Sequence, residues 1–168
     1  MTESENAIYK AMEKEFSAPV LIERLRASGL TLATAESCTG GNIAHTVTLV
    51  AGCSDVYYGG VVSYTNDVKQ RVLGVSGETL AANGAVSEAV VCEMVTGAMR
   101  VTGATTAVAT SGIAGPGGAV PGKPVGTVWI ATATPEGIKA HCHHFDGNRD
   151  QVIEQASKAA LKSLFERL

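Results

Sequence analysis

The sequence predicts a single-domain α/β sandwich: a mixed β-sheet with helices on both faces. Three observations carry that expectation. The chain has 168 residues, within the ~100–200 residues typical of one domain. Short apolar runs rich in β-formers alternate with stretches of helical period. One pair of strand-like runs is joined across Pro135-Glu136-Gly137, which reads as a hairpin and adds antiparallel pairing to the sheet.

The elements follow in chain order. Residues 1–16 are charged with scattered apolar side chains and read as an N-terminal arm or short helix, leaving 17–168 as the domain. Ser17-Ala18-Pro19 reads as a helix start, because serine caps well and proline is harmless in the first turn. Val20, Leu21, Arg24 and Leu25 continue at helical spacing, and Gly29 is a stop. Leu30–Ala35 reads as a buried strand, and further strands are expected at Val56–Tyr64, Thr105–Thr110, Gly126–Thr134 and Ile138–Phe145. Helices are expected at Gly41–Val50, Asp67–Leu73, Ser87–Val101 and Arg149–Leu168. The last is the clearest: Val152, Ala156, Ala159, Ala160 and Leu164 follow one face, and Asp146 or Asn148 can cap it.

Composition excludes several classes of function. With 45% hydrophobic and 17% charged residues the chain is not disordered. A net charge of −3 offers no electrostatic footprint for nucleic acid. No apolar run approaches the ~20 residues of a membrane span, and the polar, acidic MTESENAIYK start is unlike a secretory leader. These features lead to the expectation of a cytoplasmic protein with neither a nucleic-acid nor a membrane partner. Its four cysteines are widely spaced, make no CxxC, and are expected as reduced thiols.

Four stretches can carry chemistry. In Ala35-Glu36-Ser37-Cys38-Thr39-Gly40-Gly41, between a strand and a helix, free backbone N–H groups and a helix N-terminus favour an anion or developing oxyanion. Ser37 is there a candidate nucleophile, with the main chain of Cys38, Thr39, Gly40 and Gly41 as candidate oxyanion donors; equally, Ser37 or Thr39 can be a plain helix cap. Cys38 is a rival nucleophile if its pKa is depressed. In Val62-Ser63-Tyr64-Thr65-Asn66-Asp67-Val68-Lys69, a lysine desolvated by apolar neighbours can serve as a serine's base, with Tyr64 bridging or orienting the transfer; otherwise Lys69 is a solvated helix residue.

The third stretch, Ser111-Gly112-Ile113-Ala114-Gly115-Pro116-Gly117-Gly118, has the composition of a phosphate cradle but matches neither the P-loop nor the dinucleotide fingerprint. Ser111, Gly112, Gly115, Gly117 and Gly118 are candidate ligand contacts, and Lys123 close behind offers a charge. In the fourth, Arg149 opens the last helix as a candidate phosphate or carboxylate clamp. The run His141-Cys142-His143-His144 tempts a metal reading. Strand alternation, however, leaves two of its side chains on each face, an incomplete zinc site. A Ser-His-Asp arrangement using one of these histidines stays open, and no metal or cofactor is expected.

Taken together, the blocks AESCTGG at 35–41, VSYTNDVK at 62–69, LGV at 73–75, GAVSE at 84–88, SGIAGP at 111–116, KPVGTV at 123–128 and FxGxR ending at Arg149 occur in one order that closely resembles the CinA C-terminal domain family in its stand-alone amidase form. The resemblance spans roughly Pro19 to the C-terminus. It implies deamidation of nicotinamide mononucleotide to nicotinate mononucleotide and ammonia by a cofactor-independent serine amidohydrolase. Ser37 and Lys69 would act as a pair and form an acyl-enzyme, with Tyr64 beside them. It also implies a homo-oligomer. The HCHH run lies outside the family pattern. A different class of function, a non-catalytic regulatory module binding a nucleotide or phosphorylated ligand, stays open, distinguishable by binding without ammonia release.

Overall fold

A computed structural model describes residues 15–168; most of the expected N-terminal arm lies outside the described residues. Six α-helices and five strands follow in the order α1 (Ala18–Ala27), β1 (Leu32–Glu36), α2 (Asn42–Thr48), β2 (Tyr57–Val62), α3 (Asn66–Arg71), α4 (Gly77–Asn83), α5 (Glu88–Thr102), β3 (Thr106–Gly112), β4 (Thr127–Thr134), β5 (Gly137–His144) and α6 (Arg149–Phe165), with a 3-10 turn at Cys53–Asp55 before β2. No helix among the described residues is long and apolar enough to cross a membrane.

The strands form one sheet in the order β2-β1-β3-β4-β5. β1 pairs parallel with both β2 and β3, whereas β3-β4 and β4-β5 are antiparallel. Period-2 alternation sorts the sheet into two cores. Leu32, Val108, Val128 and Ile130 face α1, α2 and α6 on one side. On the other, Ala33, Ala35, Ala107, Ala109, Ala131 and Ala133 meet Val90, Val91, Met94, Val95 and Ala98 of α5. Two helical layers thus cover the sheet, as expected.

Local chemistry sets the boundaries. Ser17 caps α1 by accepting from the Val20 amide, with Pro19 in the first turn. Asn148 caps α6 and forms a reciprocal box with Gln151. β1 starts two residues later than expected, because the Leu30 amide still bonds to the Leu25 carbonyl and so belongs to the end of α1. Helix α4 is an addition to the expected set; Ser76 caps it through the Glu78 and Thr79 amides.

The strand order places the site. β1 leaves for α2 on one face of the sheet, and β2 returns to β3 through α3, α4 and α5 on the other. β1 is therefore flanked by connections running to opposite sides, the crevice at which open α/β sheets bind ligands beyond their carboxyl strand ends. Glu36 stands in register with Val62 and with Thr110. The segments after β1, β2 and β3 consequently emerge side by side.

Candidate active site

A cleft of about 330 Å³ opens at those three strand ends, lined by Ser37, Tyr64, Lys69, the 111–118 loop and Arg149, among others. It joins all four stretches singled out in the sequence. Ser37 is pinned by its amide, which donates to the Thr110 carbonyl at 3.0 Å. Lys69, one turn into α3, is 1% exposed. Its Nζ lies 2.8 Å from Ser37 Oγ and donates to the Ser63 carbonyl at 2.7 Å.

Burial without a carboxylate partner disfavours the ammonium. Burial accordingly pushes the Lys69 pKa down to about 8, opposed by the neighbouring Cys38 sulfur. A neutral amine at this distance can accept the serine proton. The pH profile of any reaction that needs this base is expected to climb about tenfold per pH unit below about 8 and flatten above it; initial rates between pH 6 and 10 check this.

Cys38 also lines the cleft, but burial pushes its thiol up to about 11. The rival reading as a thiolate nucleophile therefore fails, since it needed a depressed pKa.

The helix-mouth expectation narrows. The Gly40 amide donates to the Ser37 carbonyl at 3.0 Å. The Gly41 amide donates to Glu36 Oε2 at 3.1 Å, and the Ile43 and Ala44 amides donate to the same carboxylate at 3.0 and 2.8 Å. Gly40, Gly41 and the first turn of α2 are thus occupied. The Cys38 and Thr39 amides donate to no other residue among the described residues; of the two, Cys38 lines the cleft beside Ser37, whereas Thr39 is buried and does not.

Tyr64 does not bridge the pair. It is 56% exposed and its hydroxyl accepts from Arg149 Nη2 at 2.6 Å. Arg149 Nη1 donates to the Gly115 carbonyl at 2.8 Å, so the guanidinium straps the β2 wall to the glycine-rich loop. Ser111 anchors that loop by donating to the Ala85 carbonyl at 2.7 Å. Glycine is required at 112, where a Cβ would stand 2.6 Å from Val128 Cγ2 and 2.7 Å from the Thr127 carbonyl oxygen. The amides of Ala114, Gly115, Gly117 and Gly118 have no partner among the described residues, leaving main-chain donors along one wall for an anion.

Lys123 lies outside this cleft; its Nζ donates to the Asn83 carbonyl at 2.9 Å, so its expected charge contribution is not borne out. The HCHH run sits on β5, at the sheet edge farthest from β2. None of its histidines lines the cleft, which removes the Ser-His-Asp arrangement. No cluster of three metal-ligating side chains is found among the described residues.

Sequence reasoning missed Glu36, Ser63 and Asn66. Asn66 lines the cleft, and the main chain of Ser63 bridges Glu36 to Lys69. Glu36 offered the one readable signal, an acid at the end of a buried strand immediately before the candidate nucleophile.

The CinA C-terminal domain model matches residues 14–168. The chain is 48% identical over 148 residues to the nicotinamide-nucleotide amidohydrolase PncC of Escherichia coli K12, covering 86% of this chain and 88% of that protein. It is 49% identical over 145 residues to a CinA-like protein of Anaeromyxobacter sp. strain K, covering 86% of this chain but 36% of the longer relative. Among solved structures, the CinA superfamily protein of Klebsiella pneumoniae 700603 superposes with a TM-score of 0.85 at 42% identity, covering 90% of this chain and 98% of that one. With most of the family's blocks meeting at one cleft and the match running over nearly its whole length, the chain belongs to the CinA C-terminal domain family.

Proposed function

We propose that the chain is a cytoplasmic, cofactor-independent amidohydrolase that converts nicotinamide mononucleotide to nicotinate mononucleotide and ammonia, with residues 17–168 as the amidase domain. The observation that carries the reading is the buried Lys69 amine 2.8 Å from Ser37 Oγ, beside the Cys38 amide in a cleft with anion donors on its far wall. The similarity to a protein named for that activity supports the substrate.

Neutral Lys69 takes the Ser37 proton as Oγ attacks the carboxamide carbon. The tetrahedral oxyanion receives a hydrogen bond from the Cys38 amide; one such donor commonly contributes about 10²–10³ in turnover. The C–N bond breaks as Lys69 returns the proton to the departing nitrogen, releasing ammonia and leaving an ester on Ser37. Water, deprotonated by the same amine, attacks the ester and frees the carboxylate product and the serine hydroxyl.

The phosphate fits the amides of the 111–118 loop, with Arg149 at its edge and Tyr64 holding the guanidinium. Replacing Arg149 by alanine is expected to raise KM about 10- to 100-fold with kcat within a few-fold, the size of a hydrogen bond to a charged group. Lysine there is expected to rescue incompletely, since it lacks the planar fork. Steady-state kinetics on the two variants check this.

Four free cysteines fit a reducing compartment. Exposed Tyr58 and Val62 beside Tyr64 support a homo-oligomer with its contact next to the cleft. A coupled ammonia assay on nicotinamide mononucleotide, with and without a chelator, tests the reading. Equal release in both is expected, and tight binding with no ammonia would replace it with a regulatory binding module.

A further inference from the structure

Glu36 closes β1, immediately precedes Ser37, and is 1% exposed. Among the described residues all the hydrogen bonds its carboxylate accepts come from neutral donors: Thr39 Oγ1 at 2.7 Å, Gly41 N at 3.1 Å and Ile43 N at 3.0 Å on one oxygen, and Ala44 N at 2.8 Å on the other. The cap of α2 is Gly41, which has no side chain to offer, so Glu36 caps the helix from outside. Its negative charge answers the positive end of the helix.

The same carboxylate therefore grips the Ser37–Gly41 turn at its far end while the Glu36 main chain holds its near end. The Thr39 hydroxyl, which donates to Glu36, also bonds Thr110 Oγ1 at 2.8 Å and ties the turn to β3. On the other side, the Glu36 carbonyl accepts from the Ser63 amide at 2.8 Å, and the Ser63 carbonyl accepts from Lys69.

We infer that Glu36 is a positioning residue for the reaction, holding the 37–41 turn so that Ser37 and the Cys38 amide keep their alignment at the oxyanion site. The inference rests on Ser37 being the nucleophile. A carboxylate is required because the site presents only donors: the amide nitrogen of a glutamine would face either the Ala44 N–H or the cluster of Thr39, Gly41 and Ile43.

The test is Glu36→Gln, followed by kcat and KM for ammonia release from nicotinamide mononucleotide, the rate of Ser37 modification by a fluorophosphonate, and the melting temperature. The kcat and the modification rate, each per reactive site, are expected to fall about 10²-fold, with KM within about threefold and an unmoved pH midpoint, as a misaligned oxyanion donor would produce. A purely structural role lowers the melting temperature and the number of reactive sites but leaves rates per site unchanged; rates per site within twofold of the native enzyme overturn the inference. Should Glu36→Gln not fold, Thr39→Val decides, with about tenfold loss in kcat expected and an unchanged kcat contradicting it. A native enzyme that reacts with the probe yet leaves nicotinamide mononucleotide intact removes the substrate assignment alone, and the labelling rates then decide Glu36.

Discussion

Replacing Ser37 by alanine is expected to lower ammonia release from nicotinamide mononucleotide by at least about 10⁴-fold, because removing the nucleophile of a coupled set costs nearly as much as removing the whole set. The fold is expected to survive. Among the described residues the hydroxyl makes one hydrogen bond, to Lys69, and the amine keeps its bond to the Ser63 carbonyl. The change in stability should then stay within about 1 kcal/mol, the size of one ordinary hydrogen bond. Substrate affinity should persist, since the proposed phosphate contacts lie on the 111–118 loop and Arg149. Ammonia assay, thermal melting and binding calorimetry on one preparation separate lost chemistry from lost structure.

Replacing Lys69 by methionine, similar in volume but unable to accept a proton, is expected to cost about 10³-fold in kcat, within the range for a general acid–base. It should also abolish the rise of rate with pH up to about 8. Stability supplies a second readout. The folded pKa of about 8 lies below the ordinary 10.5, so between these values the unfolded chain holds a proton that the folded chain has released, and native stability rises with pH. At lower pH both states are protonated, and the folded state bears the cost of a buried cation. Native stability relative to the methionine variant is therefore expected to improve from pH 8 toward 10.5, by up to about 3 kcal/mol. Denaturant titrations at pH 7.5, 9 and 10 check the sign.

Much of the fold was legible because its signals are local. Ser17 before Pro19, a cap at Asp146 or Asn148, and the Pro135-Glu136-Gly137 turn each act through near neighbours, and each element they mark formed, with Asn148 as the cap. Strand order was not legible. That β1 lies between β2 and β3 depends on which face each connection crosses, and the strands themselves are similar small, buried runs such as LATAE and TAVATSG. Helix α4, with Leu80 its one buried side chain, offered no apolar face to read.

The site divides along the same line. Ser37, Lys69 and Arg149 were readable as residue types suited to a chemistry, but their convergence needed the parallel register that sets Glu36 level with Val62 and Thr110. Gly40 and Gly41 pointed toward an open helix mouth, because a sequence does not reveal that a glutamate four or five residues earlier already fills it. Lys123 misled in the opposite way: it follows the glycine-rich loop in sequence, yet bonds to the end of α4. In each case the competing partner was a main-chain or side-chain group whose position only the folded chain defines.

Rapid quenching of the native enzyme during turnover of nicotinamide mononucleotide, followed by peptide mass spectrometry, reaches the central claim most directly. The account predicts a transient mass increase on the peptide containing Ser37, equal to nicotinate mononucleotide less one water, building up faster above pH 8 than below it and lying on the serine rather than on Cys38. Product forming while that peptide keeps its native mass at every quench time, or an adduct found on the thiol, would contradict it.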